Sequence, residues 1–423
     1  MKRVKREEIE IMAPAGNFES LVAAIQGGAD SIYFGVGRLN MRAHSANNFT
    51  LDSIDRVVEL CKKGDVKSYL TLNTVIYDSE VEEMKKTVDK AHSAGVSAII
   101  ASDISVINYA ASIGMEVHIS TQLNISNIEA LRYYSRYADV VVLARELTLH
   151  QVKAIYNAIE EERIVGPSGK LVKLELFCHG ALCMAISGKC YLSLHQYNAS
   201  ANRGSCYQIC RRGYKVTDRE TGEALEIDNE YILSPKDLST IRFVDKILDA
   251  GVRVLKIEGR ARAPEYVKNV TAAYKEAVEA VIGGEYNDSL KEELEGRLSK
   301  VFNRGFWDGY YMGAKLGEWS DAYGNRATQK KHYIGKISNY FSNISVAEIL
   351  VESRELSLGD AIIVIGPTTG VVESTLEEIR VDLKEVATAQ KGQLCSISLP
   401  KGSKIRRGDK LYLIVNSTED GAI

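Results

Sequence analysis

IEIMAPAGNFESLVAAIQGGADSIYFGV, residues 9–36, holds one complete unit of a repeating plan. A short β-branched run, IEIMA, is followed by an amphipathic segment at 17–28 and then by a second run, SIYFGV. Strand, helix and strand in so short a span form a βα unit, whose crossover makes the two strands parallel. The alternation continues to about residue 310, with the runs SYLTLN, AIIAS, EVHIST, VVVLA, KLELF and VLKIE. Amphipathic segments separate them at 52–64, 80–94, 104–113, 127–137, 147–161, 236–250 and 264–282, most ending at a glycine such as Gly95, Gly114 or Gly251, as helix C-caps do. Eight such units predict a TIM (β/α)8 barrel of the α/β class rather than a doubly wound sheet.

Two regions depart from the plan. A stretch at 180–233 stands before the last barrel strand and carries a group of cysteines. Near residue 330 the texture changes to short alternating runs, YIGKISNY, ISVAEILVE, AIIVIG, LCSISLP and KLYLIV, broken by LSLGD, GPTTG and RRGD turns. That pattern predicts a small C-terminal antiparallel β-barrel. The expected organisation is a barrel domain at 1–315 with the insertion at 180–233, a linker at 316–330 and a β domain at 331–423.

Four of the seven cysteines, Cys183, Cys190, Cys206 and Cys210, fall inside the insertion. The basic N-terminus leads into acidic residues and a proline rather than an apolar signal core, and no run reaches the ~20 apolar residues of a spanning helix. A soluble, cytoplasmic protein with no membrane partner is expected. In a reducing cytosol such a cluster binds metal or does chemistry more often than it forms disulfides. Zinc sites usually show two short Cys-x2-4-Cys knuckles, and Cys183 and Cys190 are spaced too widely for the first. Iron–sulfur ligands come from several loop segments, so spacing leaves both metals open and serves iron–sulfur better. Cys178, Cys61 and Cys395 read as buried thiols.

The net charge of -3 excludes general adhesion to nucleic acid, while local basic stretches such as Arg211 and Arg212 or Lys401 to Arg407 leave RNA contact open. Residues ending barrel strands lie at the mouth, where such barrels place their active sites. These are Asn73, Asp103, His118, Ser120, Gln122, Arg145, Glu146, His179, Glu258 and Arg260. Arg145 and Arg260 suit a dicarboxylate or phosphate, which the guanidinium fork grips in bidentate fashion, with Glu146 and Glu258 as rival ion-pair partners. His118, His179 and Glu258 are candidates for proton handling, and Asn73 and Gln122 for substrate contacts. The FGVG turn at Phe34 to Gly37 could cradle an anion. No GxSxG elbow or HExxH helix is present, so hydrolase machinery is not visible.

The segment ELFCHGALCMAISGKCYLS, Glu175 to Ser193, resembles the signature of the collagenase-like peptidases, peptidase family U32. Further matching stretches are MAPAGNFESLVAAIQGGADSIYFG, the LNT of Leu72 to Thr74, HISTQLNISN, ARELTL, LSPKDLSTI, KIEGRARAPEYV and VFNRGFWDGY, covering nearly the whole chain. A single barrel with a small β domain is most similar to the family's tRNA hydroxylation subgroup. That resemblance implies prephenate-dependent 5-hydroxylation of a wobble uridine, with tRNA as partner, prephenate or a similar dicarboxylate as small-molecule substrate, and an electron donor. It also implies a 4Fe-4S cluster on Cys183, Cys190, Cys206 and Cys210, with Cys178 outside the set. Peptidase activity, hydroxylation of ribosomal RNA and a noncatalytic RNA-binding role are the alternatives.

Overall fold

The computed structural model describes residues 4–215, 217–222, 233–314, 317–320 and 324–417. Strands and helices alternate in chain order: β1 (Glu10–Ala15), α1 (Phe18–Gln26), β2 (Ser31–Gly35), α2 (Ile54–Lys63), β3 (Lys67–Leu72), α3 (Val81–Ala94), β4 (Ala98–Ala101), α4 (Ile104–Ser112), β5 (Val117–Ile119), α5 (Ile128–Tyr134), β6 (Val140–Val142) and α6 (Leu149–Glu162). After β7 (Lys173–Ala181) come the insertion with α7 (Leu192–Tyr197), then β8 (Asp237–Ser239), α8 (Val244–Asp249), β9 (Val252–Ile257), α9 (Pro264–Gly283), α10 (Asp288–Ser299) and β10 (Phe306–Trp307).

Strands β1 to β7 pair in sequence, all parallel, and β9 closes the ring by pairing with both β1 and β7. The result is the eight-stranded parallel barrel that the sequence predicts. Side chains alternate across each strand. Ile11, Ala13 and Ala15 of β1 face the helices, while Met12 joins Tyr33, Tyr69, Ala98, Ile100, Val140 and Val254 in a separate apolar layer that fills the barrel. The pore is thus packed shut below its mouth. At Gly95, φ is +82°, the left-handed cap that ends α3.

One segment differs from the sequence reading. The 236–250 stretch gives a helix only at Val244–Asp249, because Asp237–Ser239 pairs antiparallel with the end of β7. There His179, Gly180 and Ala181 extend β7 past the barrel rim and offer Ser239, Leu238 and Asp237 a backbone partner. Part of the insertion, at residues 216 and 223–232, lies outside the described residues, as do 315–316 and 321–323 of the expected linker and the last six residues of the β domain.

The C-terminal region is an antiparallel sheet that begins at Gln329. Its strands are β11 (Gln329–Phe341), β12 (Val346–Leu350), β13 (Leu356–Ser357), β14 (Ala361–Gly366), β15 (Gly370–Thr375), β16 (Ile379–Val381), β17 (Lys384–Glu385), β18 (Thr388–Ala389), β19 (Leu394–Ser398) and β20 (Lys410–Asn416). Eight of them pair in one sheet around their own apolar core, which includes Ile334, Ile349, Val364 and Leu411. The domain docks on the barrel wall: Ile363, Ile365 and Val371 pack on Ala23 of α1, and the Gln26 amide exchanges hydrogen bonds with the Thr369 carbonyl and Val371 N–H, each 2.9 Å. Lys268 reaches Glu373 at 3.2 Å and Lys331 reaches Glu265 at 2.7 Å, which ties the sheet to α9 as well.

Candidate functional site

The C-terminal ends of the barrel strands and the insertion together enclose a cavity of about 130 Å3. Its wall includes Asn73, Gln122, Arg145, Glu258 and Arg260, as well as all four insertion cysteines. At its centre stands an ion pair. Arg42, on the loop after β2, donates to Glu258 at 2.7 Å, and both side chains are largely buried. Burial pushes the Glu258 carboxyl up, but Arg42 first, then Arg145 and Arg260, more than reverse this and hold it at about 2. Glu258 is therefore a permanent carboxylate at neutral pH. A group so held neither donates nor takes a proton readily at neutral pH, which suits it less to the proton handling expected of it than to an electrostatic part.

The two candidate arginines line the same cavity but are not equivalent. Arg260 is 4% exposed, and its Nη1 donates to Asn40 at 3.0 Å and Thr71 at 2.9 Å. Burial pulls its guanidinium down to about 10. A Cβ at Gly35 would come within 2.5 Å of that Nη1. The glycine of the FGVG turn thus makes room for Arg260. Arg145 instead stacks over Phe177, 3.8 Å from the ring centroid, with Nη1 on the Ala181 carbonyl at 3.2 Å and a buried Nε that has no partner. An unpartnered buried N–H is costly, and an anion in the cavity would relieve it. Asn73 donates to Ser120 at 3.2 Å and to Gln122 at 3.1 Å, while its oxygen accepts from the Met41 N–H. The three form one polar wall.

Both histidines lie outside the cavity. His118 is buried inside the barrel next to Tyr69, with Nε2 3.0 Å from Glu116 near the N-terminal end of β5. His179 lies among Tyr266, Tyr274 and Phe306. Burial, then the nearby Arg262, lowers it to about 3, so it stays neutral. Neither side chain lines the mouth cavity. Being at a strand end does not fix which face a side chain takes: an irregularity in the β7–β9 register between Phe177 and His179 breaks the alternation that would otherwise put His179 on the side of Glu175 and Phe177.

Lys256, not singled out from the sequence, forms the floor. Its Nζ is 2.7 Å from Glu175, both almost fully buried, and 4.7 Å from the Tyr33 ring centroid. The alternation of VLKIEGR, which turns Lys256 and Glu258 to the same side, was the signal that could have found it. Arg42 had no such signal, because its loop reaches the cavity only through tertiary packing.

Cys183 follows β7, Cys190 precedes α7, Cys206 lies before a short 3-10 helix at Ile209–Arg211, and Cys210 is the middle residue of that helix. All four are free thiols. They feel one another: burial and then neighbouring charges raise Cys210 to about 11, with Cys183, Cys206 and Cys190 all contributing, while Arg211 opposes the rise. Arg42 in turn senses Cys183 and Cys206. Among the described residues no three Cys, His, Asp or Glu side chains are grouped closely enough to hold a single metal ion. Four thiols around a shared cavity, with Arg42 and Arg211 beside them, fit an anionic multi-iron cluster in donor chemistry and in charge. The insertion is stapled in place by Arg211, which donates to the carbonyls of Leu182 at 2.6 Å and Pro235 at 2.7 Å, and by Arg203, which pairs with Glu80. At Gly204, where φ is +80°, a Cβ would strike the Asn40 carbonyl at 2.5 Å.

The Lys401 to Arg407 stretch lies elsewhere. The Lys404 carbonyl accepts from Thr369, whose own carbonyl accepts from Gln26, the last residue of α1. Barrel helices run back from the mouth, so this basic loop sits at the opposite end. Among the described residues no helix is long and apolar enough to cross a membrane.

The model of peptidase family U32 matches residues 16–321. A protein of Porphyromonas gingivalis named collagenase is 58% identical over 405 residues, covering 96% of this chain and 97% of that protein. The tRNA hydroxylation protein P1 of Bacillus subtilis is 31% identical over 386 residues, covering 89% of this chain and 88% of that protein. A 23S rRNA 5-hydroxycytidine synthase of Escherichia coli is 32% identical over 390 residues, covering 88% of this chain and 56% of that protein.

Proposed function

This chain belongs to peptidase family U32, and from that premise we propose that it is an iron–sulfur enzyme that hydroxylates RNA, with prephenate-dependent 5-hydroxylation of a wobble uridine in tRNA as the specific reaction. The observation that carries the reading is the composition of the mouth: four free thiols and an Arg145 whose buried Nε has no partner share one cavity with a Glu258 that cannot take up a proton at neutral pH. The relatives named for RNA hydroxylation match along most of this chain.

Cys183, Cys190, Cys206 and Cys210 would hold a 4Fe-4S cluster, which supplies one-electron chemistry when bound. The chain's own residues do the rest. Arg145 presents a planar fork, backed by Phe177, to one carboxylate of a dicarboxylate such as prephenate. Glu258 keeps the surrounding arginines oriented and sets a negative charge across the cavity from Arg145. Asn73, Ser120 and Gln122 offer amide and hydroxyl groups to the edge of an unstacked base, which an anticodon loop can supply. Lys256 and Glu175 close the floor and bar water from below.

The peptidase reading is favoured by one observation, the 58% identity to a protein named collagenase. Against it, among the described residues the mouth holds no Ser, Thr or Cys in contact with a histidine base: the cavity wall lacks both His118 and His179. Nucleoside analysis of tRNA from cells with and without this chain separates the two. Loss of 5-hydroxyuridine-derived nucleosides on deletion, with gelatin left uncut by the purified protein, is expected. Unchanged nucleosides together with gelatin cleavage by the pure protein would reverse the ranking.

A further inference from the structure

From Gly180 to Lys215 the chain contains no Asp or Glu, although the whole protein carries 56. The same stretch has Lys189, Arg203, Arg211, Arg212 and Lys215. Arg203 and Arg211 are used in holding the insertion down, as described above. Lys189, Arg212 and Lys215 are exposed and, among the described residues, make no ion pair. Cations kept free of counter-charge mark a surface for a polyanion.

Aromatic rings stand between these cations. Tyr191 is 74% exposed, Tyr207 54% and Tyr197 45%. The rings of Tyr197 and Tyr207 lie 5.3 Å apart, and Arg212 sits 5.7 Å over Tyr197. Burial would normally hide side chains of this size, so three bare tyrosines on one short insertion form a surface awaiting a partner. Below Tyr191 opens a second cavity, about 370 Å3, walled by Lys189 and Tyr191 on the insertion and by Asn73 and Gln122 on the barrel. It shares Asn73, Gln122, Gly188 and Cys190 with the mouth cavity, so the two adjoin.

We propose that this face is a stacking platform for single-stranded RNA, and that the second cavity receives the base on its way to the mouth. Tyr197 and Tyr207 carry flanking bases, Tyr191 stacks on the one that turns inward, and Lys189, Arg212 and Lys215 meet the phosphates. The Asn73 and Gln122 amides then face the edge of the base that enters. The proposal rests on the RNA-hydroxylation reading and adds the surface that such a substrate would use. A polypeptide substrate is less suited, because the face offers free positive charge and flat rings, which suit phosphates and bases.

The test uses the full-length, anaerobically purified protein and three probes: a labelled tRNA anticodon stem-loop, an RNA duplex of equal length, and gelatin. Tyr191→Ala and the double variant Tyr197→Ala/Tyr207→Ala should each weaken stem-loop binding roughly fivefold or more, the loss of about 1–3 kcal/mol of stacking per base. Tyr→Phe at the same positions should keep binding near wild type, since the ring remains. Lys189→Ala/Arg212→Ala should flatten the salt dependence by about two phosphate contacts. All these positions are exposed, and retained iron content with unchanged melting would show each variant folded. If the wild type binds the stem-loop and supports hydroxylation in cells, yet the alanine variants bind it equally well, the platform is wrong and the function stands. If the wild type ignores RNA, leaves tRNA nucleosides unchanged and holds gelatin through these tyrosines, both the platform and the RNA reading fall.

Discussion

Arg145 and Arg260 share a cavity but differ in what they are free to do. Arg260 is committed to Asn40 and Thr71, whereas Arg145 keeps a buried Nε without a partner. Arg145→Lys should raise the prephenate concentration for half-maximal hydroxylation by roughly tenfold or more, as expected for one charged hydrogen bond, with iron content unchanged. Arg260→Lys should instead lower thermal stability, measured by melting, because the shorter lysine stops short of the position from which Nη1 reaches both oxygens and leaves them buried without that donor. His179 gives a pH test. Its folded value, about 3, lies below the ordinary 6.5, so its contribution to stability is full above pH 6.5 and is lost as pH falls toward 3. Denaturant unfolding at pH 5 should show about 2 kcal/mol less stability from this residue than at pH 7. His179→Phe, which titrates nowhere, should remove that part of the slope. These arginine and histidine roles show how far the sequence could be read. The spacing placed polar residues at strand ends, but the face each side chain takes at the rim depends on tertiary pairing, as the turning out of His179 shows.

Among the elements, the insertion decides the chemistry. The parallel strands were legible from their β-branched runs, since a strand buried on both faces needs a nearly continuous apolar sequence. The short β8 was not, because three residues of DLS have no periodicity of their own and become a strand only by pairing with the end of β7. The cysteines were legible as a group and Arg211 and Arg212 as a basic pair, while the aromatic character of the same insertion had no reading until the fold showed the tyrosines bare. If the four thiols hold one cluster, Cys206→Ala and Cys210→Ala should each yield protein with little iron or labile sulfide after anaerobic purification. Cys178→Ala, which changes a thiol buried outside the cavity, should keep both. Stoichiometric zinc without iron in the wild type would reject the cluster.

For the whole molecule, the placement of the two basic regions separates their roles. Lys401, Lys404, Arg406 and Arg407 are exposed on a loop tied to the last residue of α1, at the end of the barrel away from the mouth. Phosphates held at the mouth lie beyond the ~10 Å over which exposed charges act in ordinary salt. Replacing those four cations with alanine should therefore leave stem-loop binding within about twofold of wild type, where the Lys189→Ala/Arg212→Ala change does not. That Lys401 to Arg407 leaves RNA contact open was read from composition, which carries no information about which end of a barrel a loop occupies. The central claim is that the mouth and its cysteine insertion together form an RNA-hydroxylating site. It is tested most directly by mass-spectrometric quantification of 5-hydroxyuridine-derived nucleosides in tRNA from cells whose only copy of this chain is either wild type or Cys206→Ala, at matched protein levels. The account predicts the modification with the wild type and its loss with the variant; equal levels in both, or none in either, would contradict it.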